Sequence, residues 1–317
     1  MALTAKTILV PIDFSPSSDR ALNLAIELAG AFKAEIHLLH VRTVFDGPIV
    51  SPEDLDQVER VLAMSEARTL QALQASAKGI ETQTHCHVRK GSAPADAIIK
   101  AITEYDCDLV IMGTLGRRGL KGLLVGSVAK EVVQRSPVPV LTTRAETSGT
   151  FPPKKILVAY DSSDDSLQAV LLAAEWAADL SAEITLLHAM EPVTYPDFYA
   201  HYTPREDQMK RLGERCHNAL VKVGSEHLGA VTHETAVVYA QAADGITEFA
   251  STHEFDLVVL ATRGLSGIAH ALFGSVAERV TQISEVPVLT VRKPPDAPIG
   301  TAKQKKRSKT FPRRTKA

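Results

Sequence analysis

Apolar positions along this chain fall into two alternating patterns. Short β-branched runs such as "TILVPID", from Thr7, are apolar at nearly every position and suit strands buried on both faces. Longer stretches such as "SDRALNLAIELAGAF", from Ser18, space their apolar residues three and four apart, as an amphipathic helix does. Ser15 or Ser17 stands where the cap of that helix belongs. "AEIHLLHV" supplies the next strand, followed by a polar connection and a helical segment over about 53–78. Then come a strand at "TQTHCHV", a helix from about Ala93, the strand "CDLVIM", a glycine loop, a helix from Ser127 and the strand "VPVLTT". Five strands alternating with four helices predict right-handed crossovers and a parallel sheet.

The whole pattern then repeats. The stretches beginning at Ile8 and at Ile156 align with an offset of 148, and 17 of 34 positions are identical. Average composition would give about two or three. Residues 108–144 align with 256–292 at the same offset, with 20 of 37 positions identical. A period this long signals a duplicated domain, not a solenoid. "AETSGTFPPKK" interrupts the pattern with Gly149, Pro152 and Pro153. The expected divisions are 1–148, 149–294 and a tail over 295–317.

In a parallel sheet of this kind, ligands sit beyond the carboxyl ends of the strands, at the switch in strand order. Asp13 ends the first strand and Gly113 the fourth, so neighbouring strands would aim both into one crevice. Asp13 reads either as a turn or capping residue, or as an acceptor for a ribose hydroxyl or base N–H. Gly113, Gly116 and Gly126 precede a helix start at Ser127, where free N–H groups and the positive end of the helix dipole suit a phosphate. Ser127 reads as a helix cap, as a phosphate ligand, or as both. Arg117, Arg118 and Lys121 supply cations beside it. Neither the Walker loop nor G-x-G-x-x-G is present at this place.

Other features read as structural. His85 and His87 share a strand face with Cys86 on the other; with no third ligand apparent, no metal site is expected. His40 and His188 occupy equivalent strand positions and read as core or rim groups; Trp176 reads as core. Three scattered cysteines, Cys86, Cys107 and Cys216, read as reduced thiols of a cytoplasmic protein. No apolar run approaches the roughly 18–20 residues of a membrane span, and the start leaves no room for a signal peptide.

Charge is unevenly placed. Residues 303–317 hold eight Lys or Arg and no acid; the remainder carries 27 basic and 37 acidic residues, a net −10. The tail reads as a disordered, solvated extension, with a nucleic-acid or anionic-surface contact as the alternative.

Taken together, the pattern G-x2-G-x9-G-[ST], met by Gly113, Gly116, Gly126 and Ser127, with "LVPIDFS" before it and "SPVPVLTTR" after it, resembles the universal stress protein family in its tandem form. The resemblance covers about 6–144 and 154–292. It implies two tandem α/β domains, Rossmann-like and similar to the adenine nucleotide alpha hydrolases, each a five-stranded parallel sheet with helices on both faces. It also implies ATP, with or without Mg²⁺, held at Pro11, Ile12, Asp13, Val41, Met112, Gly113, Gly116, Arg117, Gly126, Ser127 and Val128. In the second half the matching positions are Asp161, Ala189, Leu260, Gly264, Gly274, Ser275 and Val276.

The second half departs from the pattern. Ala261 replaces Gly113, Ala159 replaces Pro11, and Leu265, Ser266 and Ala269 replace the three cations, leaving Arg263 as the nearest. Phosphate is therefore expected to be held less strongly there. The expected function is a stress-response protein whose nucleotide state biases its conformation or partners. The alternatives are a slow ATPase or other enzyme on this fold, and a scaffold with vestigial sites. No motif supplies the phosphate Lys or metal-binding acid of a usual ATPase. The family implies pairing of the two domains about a pseudo-two-fold axis and a homodimer. "VPVLTTR" and "VPVLTVR" offer apolar edges that could pair with each other.

Overall fold

The computed structural model describes residues 5–43, 52–115, 125–191, 206–264 and 273–292. The first half runs β1 (Thr7–Pro11), α1 (Pro16–Phe32), β2 (Glu35–Arg42), α2 (Pro52–Ser76), β3 (Thr84–Lys90), α3 (Pro94–Glu104), β4 (Leu109–Gly113), α4 (Ser127–Arg135) and β5 (Val140–Thr143). The second runs β6 (Lys155–Ala159), α5 (Asp164–Leu180), β7 (Glu183–Met190), α6 (Glu206–His227), β8 (His233–Tyr239), α7 (Ala242–Thr252), β9 (Leu257–Ala261), α8 (Ser275–Ile283) and β10 (Val288–Val291). The basic tail lies outside the described residues.

Within each half the strands are parallel, and the two halves join in one sheet of order β3-β2-β1-β4-β5-β10-β9-β6-β7-β8. The order reverses between β1 and β4, and again between β6 and β9. In open α/β sheets such a reversal marks the place of a ligand crevice, at the strands' carboxyl ends.

The strands are apolar at consecutive positions because both faces are covered. In β1, Ile8 and Val10 enter one core while Leu9 enters another on the opposite face. The first core contains Leu24 and Leu28 of α1 together with Val170 and Trp176 of α5, so one apolar layer spans both halves. Phe32 meets Trp176 edge-on across it, at 5.3 Å between ring centroids. On the other face the halves keep separate cores, under α3 and α4 and under α7 and α8. Phe273 packs against both.

Among the described residues the single antiparallel junction is β5 with β10. Leu141 faces Leu289, while Val140 faces Thr290 and Thr142 faces Val288. Since these positions are 148 apart, the register maps onto itself when the halves are exchanged. That is a local two-fold through the Leu141–Leu289 pair. The side chains obey it too: Thr142 Oγ1 donates to the Val288 carbonyl and Thr290 Oγ1 to that of Val140.

Candidate functional site

The first crevice is built where β1 ends and the chain turns into α1. Asp13 Oδ1 accepts from the Ser15 N–H at 3.1 Å, closing an Asx turn. Phe14 between them takes a left-handed backbone, φ 60°. Ser15 then caps α1 in a reciprocal capping box with Ser18. The second half repeats the device: Asp161 Oδ1 accepts from both the N–H and the hydroxyl of Ser163, and Ser162 has φ 68°. The turn reading of the strand-end acid is therefore correct geometrically. A carboxylate has acceptor capacity for more than this, so the turn does not exhaust its chemistry.

His40 and His188 hold the same turn from beneath. Nδ1 of each donates to the carbonyl of the residue preceding the Asp, Ile12 at 2.7 Å and Tyr160 at 2.8 Å. Ile12 is further fixed by its N–H to the Leu39 carbonyl. The histidines at equivalent strand positions thus act as struts under the crevice floor.

The opposing wall is the exit of β4 and the start of α4. Gly126, the N-cap of α4, donates its N–H to the Thr114 carbonyl, and Gly274 donates to that of Thr262. These bonds join the strand exit to the helix start in both halves. Ser127 and Ser275 are the first helical residues, not caps, and neither helix has a side-chain cap bond. The first turn of α4 contains no acid, whereas that of α8 contains Glu278. Ser15 Oγ donates to the Leu115 carbonyl at 3.3 Å, tying the Asp13 turn to the loop.

Other expected residues take differing places. Gly113 makes its close approach to α1: a Cβ there would lie 2.7 Å from Ser17. Gly264 lies against its own half's acid, where a Cβ would sit 2.4 Å from Asp161 Oδ2. Ile12, Met112 and Leu260 send their side chains into the cores, and the backbone N–H and carbonyl of Ile12 are engaged by Leu39 and His40. Pro11 ends β1; Val41 and Ala189 lie near the ends of β2 and β7. Val128 and Val276 pack their helix starts onto the cores. Gly116 and Arg117, with Arg118 and Lys121, lie outside the described residues. Arg263 Nε is buried and has no hydrogen-bond partner among the described residues.

None of the cysteines is in a disulfide, and burial pushes the Cys107 thiol up to about 12 and the Cys86 thiol upward, away from the reactive thiolate. Among the described residues no helix is long and apolar enough to cross a membrane.

Sequence reasoning missed two sets of residues. Asp108 and Asp256 precede β4 and β9 and accept backbone N–H groups at the start of β1 and β6: Lys6 and Thr7 in one half, Lys154 and Lys155 in the other. Their identity at the 148-residue offset was the available signal. His37 and Glu35 were also missed; the β2–β3 register sets His37 beside His85, supplying the neighbours that the histidine pair lacked in the sequence.

A duplicated, doubly wound α/β chain with a glycine-loop crevice in each half defines the class. The profile of the Universal stress protein family matches residues 4–144 and 152–292, and the chain belongs to that family. Universal stress protein Rv2623 of Mycobacterium tuberculosis is 28% identical over 303 residues, covering 90% of this chain and 96% of its own. A Thermus aquaticus universal stress protein is 34% identical over 140 residues, 44% of this chain and 98% of its own. The solved universal stress protein of Archaeoglobus fulgidus shares the fold, with TM-score 0.60 at 21% identity over 90% of this chain and 98% of its own.

Proposed function

We propose that this chain is a stress-response regulatory protein that holds an adenine nucleotide, ATP, in its first crevice and uses occupancy to bias its conformation or partners. One observation carries the reading. At the β1–β4 switch the turn of a strand-end carboxylate, Asp13, is tied through Ser15 to the exit of β4, and α4 starts at Gly126 without side-chain cap or first-turn acid. A carboxylate on one side suits ribose or base donors, and bare helix N–H groups on the other suit phosphates. Pro11, Ile12, Val41 and Met112 would offer backbone and apolar surface to the rest of the nucleotide. Gly113, Gly116, Arg117, Ser127 and Val128 complete the proposed set.

The second crevice is the weaker candidate. Leu265, Ser266 and Ala269 stand at the places of Arg117, Arg118 and Lys121, so its loop lacks the cations of the first. These features favour a vestigial or low-affinity site over Asp161, Ala189, Leu260, Gly264, Gly274, Ser275 and Val276. The protein acts by binding and not by turnover, with slow hydrolysis as a side reaction. The proposed domains are 1–148 and 149–294, in a homodimeric cytoplasmic protein.

Calorimetric titration of stripped protein with ATP, with and without Mg²⁺, tests the reading. Asp13→Ala is expected to weaken binding roughly 10-fold or more, the loss of one hydrogen bond to a charged group. Asp161→Ala is expected to change it less. No binding by folded wild-type protein would leave the glycine loops as structural turns.

A further inference from the structure

Far from the crevices, at the amino-terminal half of β2 and β3, the first half gathers imidazoles around a carboxylate. Register pairs His37 with His85, and alternation puts Glu35 on the same face two residues earlier. His37 Nε2 lies 3.5 Å from Glu35 Oε1, and His85 Nε2 lies 3.7 Å from Glu35 Oε2. One ligand atom from each of the three residues falls within 4.8 Å of the others. We infer that Glu35, His37 and His85 form a binding site for a divalent transition-metal ion of the zinc type, with His87 as the outer partner of His37.

The chemistry of the donors selects the ion. Two imidazoles and a carboxylate are a zinc set with a fourth position left open, whereas Mg²⁺ or Ca²⁺ would take oxygens alone. Metal–ligand bonds of about 2.0–2.2 Å place tetrahedral ligand atoms roughly 3.3 Å apart. Closing the present spacing needs only small movements of Glu35 and His85, both partly exposed, while His37 is 9% exposed and fixed. Thr7 Oγ1 donates to Glu35 Oε1 at 3.4 Å, and the Gln83 amide lies 3.0 Å from His85 Nε2, marking that nitrogen as an acceptor. A shallow depression bordered by Thr7, Lys33, Glu35 and Gln83 leads to the cluster.

The surrounding groups support a metal over an ion pair. His37 Nδ1 lies 3.1 Å from His87 Nε2, so a His37 that gives Nε2 to a metal donates its Nδ1–H to His87. The His87 nitrogen would then fill the outer-shell acceptor role that a carboxylate or carbonyl commonly plays for a ligating histidine. His87 is itself held by stacking on Tyr105, with centroids 4.3 Å apart.

The second half provides an internal control. Thr185 stands at the place of His37, and the strand register brings Glu234 and Ala236 to the places of His85 and His87. The fold is built there without any of the three imidazoles, so packing does not demand them.

The test is Zn²⁺ titration of chelator-treated, full-length protein by calorimetry without nucleotide, with Co²⁺ absorption reporting coordination. Wild type is expected to bind one ion at this cluster, with a tetrahedral Co²⁺ spectrum. His85→Gln and Glu35→Gln, both at partly exposed positions, should each abolish that site while leaving circular dichroism unchanged. His87→Ala should weaken it 10–100-fold, and His233→Gln in the second half should not change it. Absence of binding to wild type, or binding undiminished in both His85→Gln and Glu35→Gln, would overturn the site. Undiminished affinity in His87→Ala would overturn the outer-partner role. Because nucleotide is absent, neither result depends on the ATP reading.

Discussion

A single buried carboxylate shows how much one residue can organise. Asp256 is 8% exposed and accepts from three backbone N–H groups, those of Thr150, Lys154 and Lys155, at 2.7–3.0 Å. It therefore fixes the connection between the halves to the start of β6. Asp256→Ala would strand those donors, and a loss of at least about 1.5–3 kcal/mol is expected in urea unfolding. Gly113 presents the opposite problem, a side chain that must be absent. A methyl group there would press on backbone and side-chain atoms of Ser17. Gly113→Ala should cost about 1–3 kcal/mol through the shift it forces in α1, read from the same unfolding curves. This glycine was legible in the sequence as a strand end within the glycine pattern, but its neighbour was not. Only the packing of α1 on β4 shows that the contact is internal.

Elements were legible where the apolar spacing was strong. The strands of both halves and the helix α4 lie where their patterns place them, because both-face burial and a 3.6-residue stripe each leave a distinct signature. Pairing between elements left no such signature. His85 and His87 could be put on one strand face, yet their meeting with His37 required the β2–β3 register. The helices α4 and α8 illustrate another pairing. Lys130 and Glu278, equivalent in the two halves, form an ion pair. Two copies of the first half joined in the same way would set Lys130 against Lys130. The charge difference thus favours the intramolecular union. Lys130→Glu should destabilise the protein by about 0.5–1 kcal/mol, and adding Glu278→Lys should restore it.

At the scale of the molecule, the halves share one sheet and, of the three apolar cores among the described residues, one. Trp176 sits in that shared core, 1% exposed and against Phe32 of the other half. Trp176→Ala is expected to cost about 3–5 kcal/mol. Because the core spans both halves, the loss should appear in one cooperative transition and not only in the second half. Fragment-resolved hydrogen exchange of wild type and variant would check this, through increased exchange in both α1 and α5.

The sequence by itself determined the duplication, the order of elements and the residue types at the crevices. Each depends on local periodicity or on identity between positions 148 apart. Only the tertiary structure decided what lies next to what. The Asp13 turn is tied to the exit of β4, through Ser15 and Leu115, because β1 neighbours β4, and the histidines gather because β2 neighbours β3. The halves become one sheet because β5 and β10 pair antiparallel through Leu141 and Leu289. Such contacts are chosen by the joint burial of many side chains across distant segments, a balance that no single stretch of the chain contains.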